Sequence, residues 1–456
     1  MTLGAAELAR AIAAGELSAR AAVQASLDRI EEVNGALNAV TVVLAGEALA
    51  AADAADASLA RGEPAPPLLG VPFTVKENID VAGTVTSLGM RGGVPAERDA
   101  PHIAHLRAAG AIPIARTNLP DLALRWHTDN TRHGATVNPW DASLSPGGSS
   151  GGDAVALASG MAAFAVGSDY GGSLRVPAAL AGVYALRPTP GRLAQAFGVP
   201  PLMSRQLMAS DGPLTRRAED LPLLLAAMAR PDPRDPRFTP APVGETARGP
   251  VALVLAADAD DAVAEGLRRA AAALNAAGYD VVEAEAPRVE EAAQLWLDLV
   301  GFEVRLGALQ RLRDEGSEGT RASAEALFGL ARPLDGDGYA NALAERHMLA
   351  AEYGDFLARH PLILGPVSVC APWPVGHDLG GAEPLRDEWW GFRLTVATAC
   401  LGLPAVSVPA GLDARVRPVG VQLVAARWRE GTLVAAAEAI ESGLETLPSG
   451  PRTREV

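Results

Sequence analysis

The stretch from Ser145 to Thr189 constrains the fold more than any other part of the chain. It reads Ser145-Pro-Gly-Gly-Ser-Ser-Gly-Gly152, then a run of small apolar residues, then Gly167-Ser-Asp-Tyr-Gly-Gly-Ser-Leu-Arg175, and it closes with Ala185-Leu-Arg-Pro-Thr-Pro-Gly191. Glycine lacks a Cβ and tolerates positive φ, so each Gly-Gly-Ser element marks a place where the backbone turns sharply and comes close to another group. One glycine-rich loop would fit an ordinary connection. Two of them, each presenting a serine and joined by a segment that reads as a buried helix, point to a catalytic site.

A second feature singles out one residue. Of the 39 basic residues, Lys76 is the single lysine and every other is arginine. Arginine stays charged in a protein, whereas burial can tune a lysine to act as a base. Lys76 sits in Gly70-Val-Pro-Phe-Thr-Val-Lys-Glu-Asn-Ile-Asp80. That β-branched and aromatic run places it at the end of a buried strand.

Composition narrows the class. With 456 residues, 49% hydrophobic, the chain can bury a large core. Length alone suggests two or three domains, although large α/β enzymes run this long as one unit. A net charge of −15 argues against nucleic acid or an anionic membrane as partner. Cys370 and Cys400 lack metal-ligand spacing and read as two reduced, buried thiols. The seven histidines show no metal-binding pattern, so neither a metal nor another cofactor is expected. No basic segment followed by an apolar core opens the chain, and runs such as Ala154 to Val166 are too short to span a bilayer. The expectation is a soluble, cytoplasmic protein.

The periodicities predict helices over Leu3–Ala14, from an N-cap at Ser18 through Val33, and over Glu47–Arg61. A strand to Lys76, a helix over His102–Ala109 and a strand over Ala111–Ala115 follow. A helix is expected over Glu219–Ala229, then an exposed proline-rich connector from Arg230 to Pro250. A βαβ unit is expected from Val251 to Val282, a mostly helical region over 285–360 with Glu291–Leu312 clearest, and strands at Leu362–Cys370, Ala405–Pro409 and Pro418–Val424. Leu433–Leu444 reads as the last helix. Such alternation favours a layered α/β fold.

Three motifs carry a family resemblance. The Lys76 segment, Gly147-Gly-Ser-Ser-Gly-Gly152 and Asp169-Tyr-Gly-Gly-Ser-Leu-Arg175 resemble, in order, the lysine, glycine/serine and nucleophile motifs of the amidase signature family of serine hydrolases. Thr117-Asn118, Asn138-Pro-Trp-Asp141, Arg187-Pro-Thr189, Gly402-Leu-Pro-Ala405 and Pro418-Val-Gly-Val-Gln-Leu423 fall in family order as well. The resemblance implies an α/β fold with a central mixed sheet covered by helices on both faces. It implies a single amidase domain over 1–456, with N-terminal helices over 1–65, a catalytic core over 66–230, a variable substrate-shaping region over 231–395 and a return to the core over 396–445.

Carried over by position, the resemblance makes Ser173 the nucleophile, Ser149 a bridging serine after a cis peptide bond, and Lys76 the base. The chemistry is consistent, because a serine hydroxyl needs a base to accept its proton during attack. The N–H groups of Tyr170, Gly171, Gly172 and Ser173 would form the oxyanion hole. Tyr170 stands where a smaller residue is commoner and could narrow the pocket; Glu77 stands where Asp is frequent and could position Lys76. Arg116 and Arg187 replace lysines of the family, as if only charge or packing were required there. Asp169 and Arg175 read as an ion pair that shapes the nucleophile loop, and Ser150 as a hydrogen-bonding neighbour.

Trp126, His127 and His133 are candidates for the substrate pocket or for packing; Trp389 and Trp390 read as core. The implied activity is hydrolysis of a small-molecule amide, by a monomer or homodimer. Three alternatives stay open. The first is a glutamine-hydrolysing subunit of an amidotransferase, although Gly365-Pro-Val-Ser-Val-Cys-Ala371 lacks the Thr/Ser-Pro pattern expected there. The second is an α/β-hydrolase-type esterase using Ser149, since Gly147-Gly-Ser-Ser-Gly151 fits Gly-x-Ser-x-Gly, with His347, His360 or His377 as partner. The third is a non-enzymatic binding protein.

Overall fold

Short β-branched and aromatic runs alternating with longer alanine- and leucine-rich helices bring the chain back repeatedly to one sheet. The computed structural model describes residues 3–196, 201–243, 246–247, 249–370, 372–444 and 447. Its strands are β1 (Val40–Val43), β2 (Pro72–Lys76), β3 (Ile112–Thr117), β4 (Phe164–Asp169), β5 (Tyr184–Arg187), β6 (Ser210–Thr215), β7 (Pro250–Leu253), β8 (Asp280–Glu283), β9 (Leu362–Pro366), β10 (Ala405–Leu412) and β11 (Pro418–Ala425). Among the described residues they form an 11-stranded sheet in the order β1-β3-β2-β4-β6-β5-β10-β11-β9-β7-β8. It is mixed: β2 runs parallel to β3 and β4, β7 parallel to β8 and β9, and the pairs from β4 through β11 to β9 are antiparallel.

Side chains alternate across this sheet with the period of two that a pleated strand imposes. Phe73, Val75, Val406, Val408, Val421 and Leu423 point into one buried core with the helices Ala5–Ala13, Ala19–Leu37, Asp261–Ala276 and Glu430–Gly443. Ile363, Ala405 and Val424 point to the other, with Val289–Val304, Gly336–Arg359 and Arg393–Leu401. Helices therefore cover both faces. Lys76, one residue beyond Val75, is turned away from the first core.

The helix expected after Ser18 is Ala19–Leu37, and the Ser18 hydroxyl accepts the Ala21 N–H at 3.0 Å as an N-cap. Several expectations are corrected. The segment between the glycine loops is a helix, Gly151–Ala158, followed by β4. β1, β5 and β6 were not foreseen either; each is short, and β6 carries Gly212 and Pro213, which read as turn residues. The helix expected over Glu291–Leu312 is two helices, Val289–Val304 and Ala308–Glu315, broken before Gly307. The connector from Arg230 to Pro250 is tied down: Asp235 is buried and accepts the Gln195 N–H at 2.8 Å, and Arg237 donates to the Gln206 carbonyl at 2.8 Å. Residues 244, 245 and 248 of that connector, and Ala371, lie outside the described residues. Among those described, no helix is long and apolar enough to cross a membrane.

Candidate active site

β3, β2 and β4 end side by side, and open α/β sheets place their sites outside the carboxyl ends of such strands. Lys76 ends β2, is fully buried, and donates from Nζ to Ser149 Oγ at 2.7 Å and to Ser168 Oγ at 3.1 Å. Asn78 Nδ2 also donates to Ser168 Oγ, at 2.9 Å. Burial lowers the Lys76 ammonium below its ordinary range, against the opposing pull of Asp153, Asp211 and Asp169. Asp153, in the first turn of Gly151–Ala158, is itself buried, and that burial raises its carboxyl against the pull of Lys76. Its Oδ1 accepts from Thr117 Oγ1 at 2.5 Å, and Thr117 is the register partner of Lys76.

The peptide before Ser149 is cis, as the resemblance implied. Ser150 joins the two glycine loops, its N–H donating to the Ser173 carbonyl at 3.2 Å and its hydroxyl to the Ser168 carbonyl at 3.3 Å. Glu77 does not touch Lys76. Its carboxylate takes the N–H groups of Ser87 and Gly89 instead, securing the loop after β2. Arg116 does more than supply charge: its Nη2 donates to the carbonyls of Glu77 at 2.8 Å and Ile79 at 2.6 Å, and Nη1 reaches the Thr84 hydroxyl, so the guanidinium ties down the loop after β2.

The loop from Asp169 to Ser173 is held at every carbonyl. Arg187 donates to Asp169 O at 2.7 Å, Trp296 Nε1 to Tyr170 O at 2.8 Å, and Trp126 Nε1 to Gly171 O at 3.1 Å. The N–H of Val176 takes Gly172 O at 2.7 Å, and Ser150 takes Ser173 O. Beneath the loop, the Asp169 carboxylate accepts from Arg175 Nε at 3.0 Å, Arg187 Nη1 at 3.0 Å, the Gly172 N–H at 2.9 Å and the Leu174 N–H at 3.3 Å. Burial pushes this carboxyl up, but Arg175 and Arg187 outweigh it and hold it well below the usual carboxylate range.

One expectation changes here. The Gly172 N–H is already engaged by Asp169, so the candidate oxyanion donors reduce to Tyr170, Gly171 and Ser173. Gly172 itself has φ 107°, and a Cβ there would meet Thr395 Cγ2 at 2.6 Å, so glycine is required.

Ser149 and Ser173 open onto a cavity of about 530 Å³. Its walls are largely apolar, from Leu88, Leu122, Leu124, Val304 and Leu306, with Tyr170 and Glu303 beside them. The Tyr170 hydroxyl pairs with Ser204 Oγ, and Ser204 Oγ and Tyr339 both donate to Glu303.

Trp126 and His127 do not line this cavity. Trp126 is buried behind the loop, packed on Trp296 and Phe392, and His127 is buried between Glu388 at 3.2 Å and Asp378 at 3.5 Å. Arg125, bound to Asp378 at 2.6 Å, draws this segment away from the pocket. His133 is half-buried elsewhere, Trp389 is core as expected, and Trp390 is half-buried beneath Arg393. Ser168, Asp153 and Trp296 were missed. Ser168, beside the nucleophile motif, was within reach of the sequence; Trp296 left no local signal.

The fold is α/β of the amidase-signature type. The chain belongs to the amidase family, whose model, described as Amidase, matches residues 21–434. It is 39% identical to an indoleacetamide hydrolase of Bradyrhizobium diazoefficiens over 96% of this chain and 85% of that one. It is 33% identical to a glutamyl-tRNA(Gln) amidotransferase subunit of Deinococcus radiodurans over 96% of each chain. Among solved structures it matches, at TM-score 0.86 and 29% identity, a chain from a vestigial protein complex related to the origins of an s-triazine catabolic enzyme, covering 98% of this chain and 100% of that one. The protein is therefore an enzyme, an amide hydrolase acting on C–N bonds.

Proposed function

We propose that the chain hydrolyses a small-molecule carboxylic amide through an acyl-enzyme on Ser173. The observation that carries this is the 2.7 Å hydrogen bond between the fully buried Lys76 Nζ and Ser149 Oγ, beside the cavity that Ser173 lines. With Lys76 neutral, Ser149 passes its proton to Nζ as it takes the proton of Ser173. Ser173 Oγ bonds to the amide carbon, and the resulting oxyanion rests on the N–H groups of Tyr170, Gly171 and Ser173. The proton then returns through Ser149 to the leaving nitrogen, the C–N bond breaks, and ammonia or an amine departs. Water, deprotonated by the same relay, attacks the ester and frees the acid and Ser173. Residues 1–456 act as one amidase domain, a reading supported by strands from Val40 through Ala425 lying in one sheet. The enzyme works as a monomer or homodimer.

The substrate class proposed is a primary amide with an aryl-alkyl acyl part. The apolar cavity walls and the 39% identity to an indoleacetamide hydrolase support it. Ser149 serves as relay in this reading, since its hydroxyl pairs with Lys76 and none of His347, His360 and His377 lines the cavity. The test is a steady-state comparison of indole-3-acetamide, benzamide and glutamine, with ammonia release as the readout. A kcat/KM for indole-3-acetamide at least about tenfold above glutamine is expected. Preference for glutamine would shift the assignment to the amidotransferase class.

A further inference from the structure

The oxyanion loop is gripped from outside its own motif. Helix Val289–Val304 carries Trp296, whose indole N–H reaches the Tyr170 carbonyl at 2.8 Å, 126 positions away in sequence. The same ring lies against Gly171, where a Cβ would meet Trp296 Cζ2 at 2.6 Å, and it meets the Tyr170 ring edge-on at 6.0 Å. Trp296 thus contacts two consecutive loop residues in three ways. In a trans peptide the carbonyl of one residue and the N–H of the next point in opposite directions. Fixing Tyr170 O therefore aims the Gly171 N–H away from the indole. Trp126 holds the next carbonyl, Gly171 O, and so aims the Gly172 N–H, which the Asp169 carboxylate already occupies.

We infer that Trp296 is the positioning residue of the oxyanion hole, aiming the Gly171 N–H, and that Trp126 performs the same fixation on a donor that catalysis does not use. The inference rests on Ser173 being the nucleophile. It explains why residue 171 must be glycine, and it gives a helix of the variable region a direct hold on the reacting centre. Because the fixation is directional, its loss acts on the tetrahedral state far more than on substrate binding.

The test replaces each indole by a ring without the N–H, Trp296→Phe and Trp126→Phe, in the full-length enzyme. Readouts are kcat and KM for a hydrolysed amide, the Ki of an arylboronic acid that forms a tetrahedral adduct on serine, and the thermal midpoint. Trp296→Phe is expected to lower kcat by roughly 10- to 100-fold with KM within about twofold, and to weaken the boronate in parallel. Trp126→Phe, with a comparable drop in thermal midpoint, should lose less than about fivefold in kcat. Equal losses from both variants, or an unchanged boronate Ki in Trp296→Phe, would overturn the inference. Wild type is first labelled with a fluorophosphonate and mapped. Label absent from Ser173 would refute the underlying nucleophile assignment, and label on Ser173 with the other results unfavourable would refute only the role of Trp296.

Discussion

Asp169→Asn removes a charge from beneath the nucleophile loop, and its cost follows from what surrounds it. The carboxylate is fully buried and accepts from Arg175 at 3.0 and 3.1 Å, from Arg187 at 3.0 Å, and from the Gly172 and Leu174 N–H groups at 2.9 and 3.3 Å. Asparagine keeps one acceptor oxygen and turns an NH₂ group toward a guanidinium. Arg175 retains Gln422 at 2.9 Å and Arg187 retains the Asp169 carbonyl, so neither is stripped of every partner. Both nonetheless lose the carboxylate beside them in a buried setting. Removing one partner of a buried ion pair costs about 3–5 kcal/mol.

Urea unfolding followed by tryptophan fluorescence should show this as a midpoint lowered by about 1 M or more. The pH dependence gives a second reading. Asp169 is held below its unfolded value of about 3.9, so its contribution is complete above that pH and is lost as the pH falls toward the folded value. Wild type should therefore lose stability below about pH 4 more steeply than the Asn variant, which has no proton to take up there. A variant within about 0.2 M of the wild-type midpoint, with the same acid slope, would refute the claim that this ion cluster holds the loop.

Other consequences concern the base. The acid limb of kcat/KM should fall near pH 8, because burial lowers Lys76 from 10.5 to about 8 and only the neutral amine accepts a proton; a limb above 10 would contradict this. Asp153→Asn removes the largest influence that raises Lys76, so that limb should move to lower pH in the variant, and a shift upward would contradict the coupling. Ser168→Ala deletes the second acceptor of the Lys76 ammonium, at 3.1 Å, and should lower kcat several-fold with an unchanged thermal midpoint, as measured by ammonia release and calorimetry.

The chemistry-bearing residues were legible because they are local and chemically singular. Lys76 stands out as the single lysine, and the paired Gly-Gly-Ser segments mark two loops before any fold is drawn. β2 was legible because its β-branched and aromatic run ends at that lone lysine, although the strand is buried along its whole length. β4 was hidden because Phe164-Ala-Val-Gly-Ser-Asp169 continues the small-residue run of the preceding helix. Trp126 and His127 misled through sequence proximity to Asn118 and the glycine motif, whereas the Arg125–Asp378 pair sets their direction across 253 positions. The roles of Trp296, Asp153 and Arg116 are likewise set by partners far along the chain. No periodicity records such contacts.

In the proposed mechanism Ser173, activated through Ser149 by Lys76, carries the acyl group. This is tested most directly by reacting the enzyme with a small fluorophosphonate, whose phosphorus bonds to the attacking oxygen as fluoride leaves, and mapping the adduct by mass spectrometry in wild type and in Lys76→Ala. One adduct is expected, on Ser173, formed at least about 100-fold more slowly in the Lys76→Ala protein. An adduct on Ser149, or equal rates with and without the lysine, would contradict it.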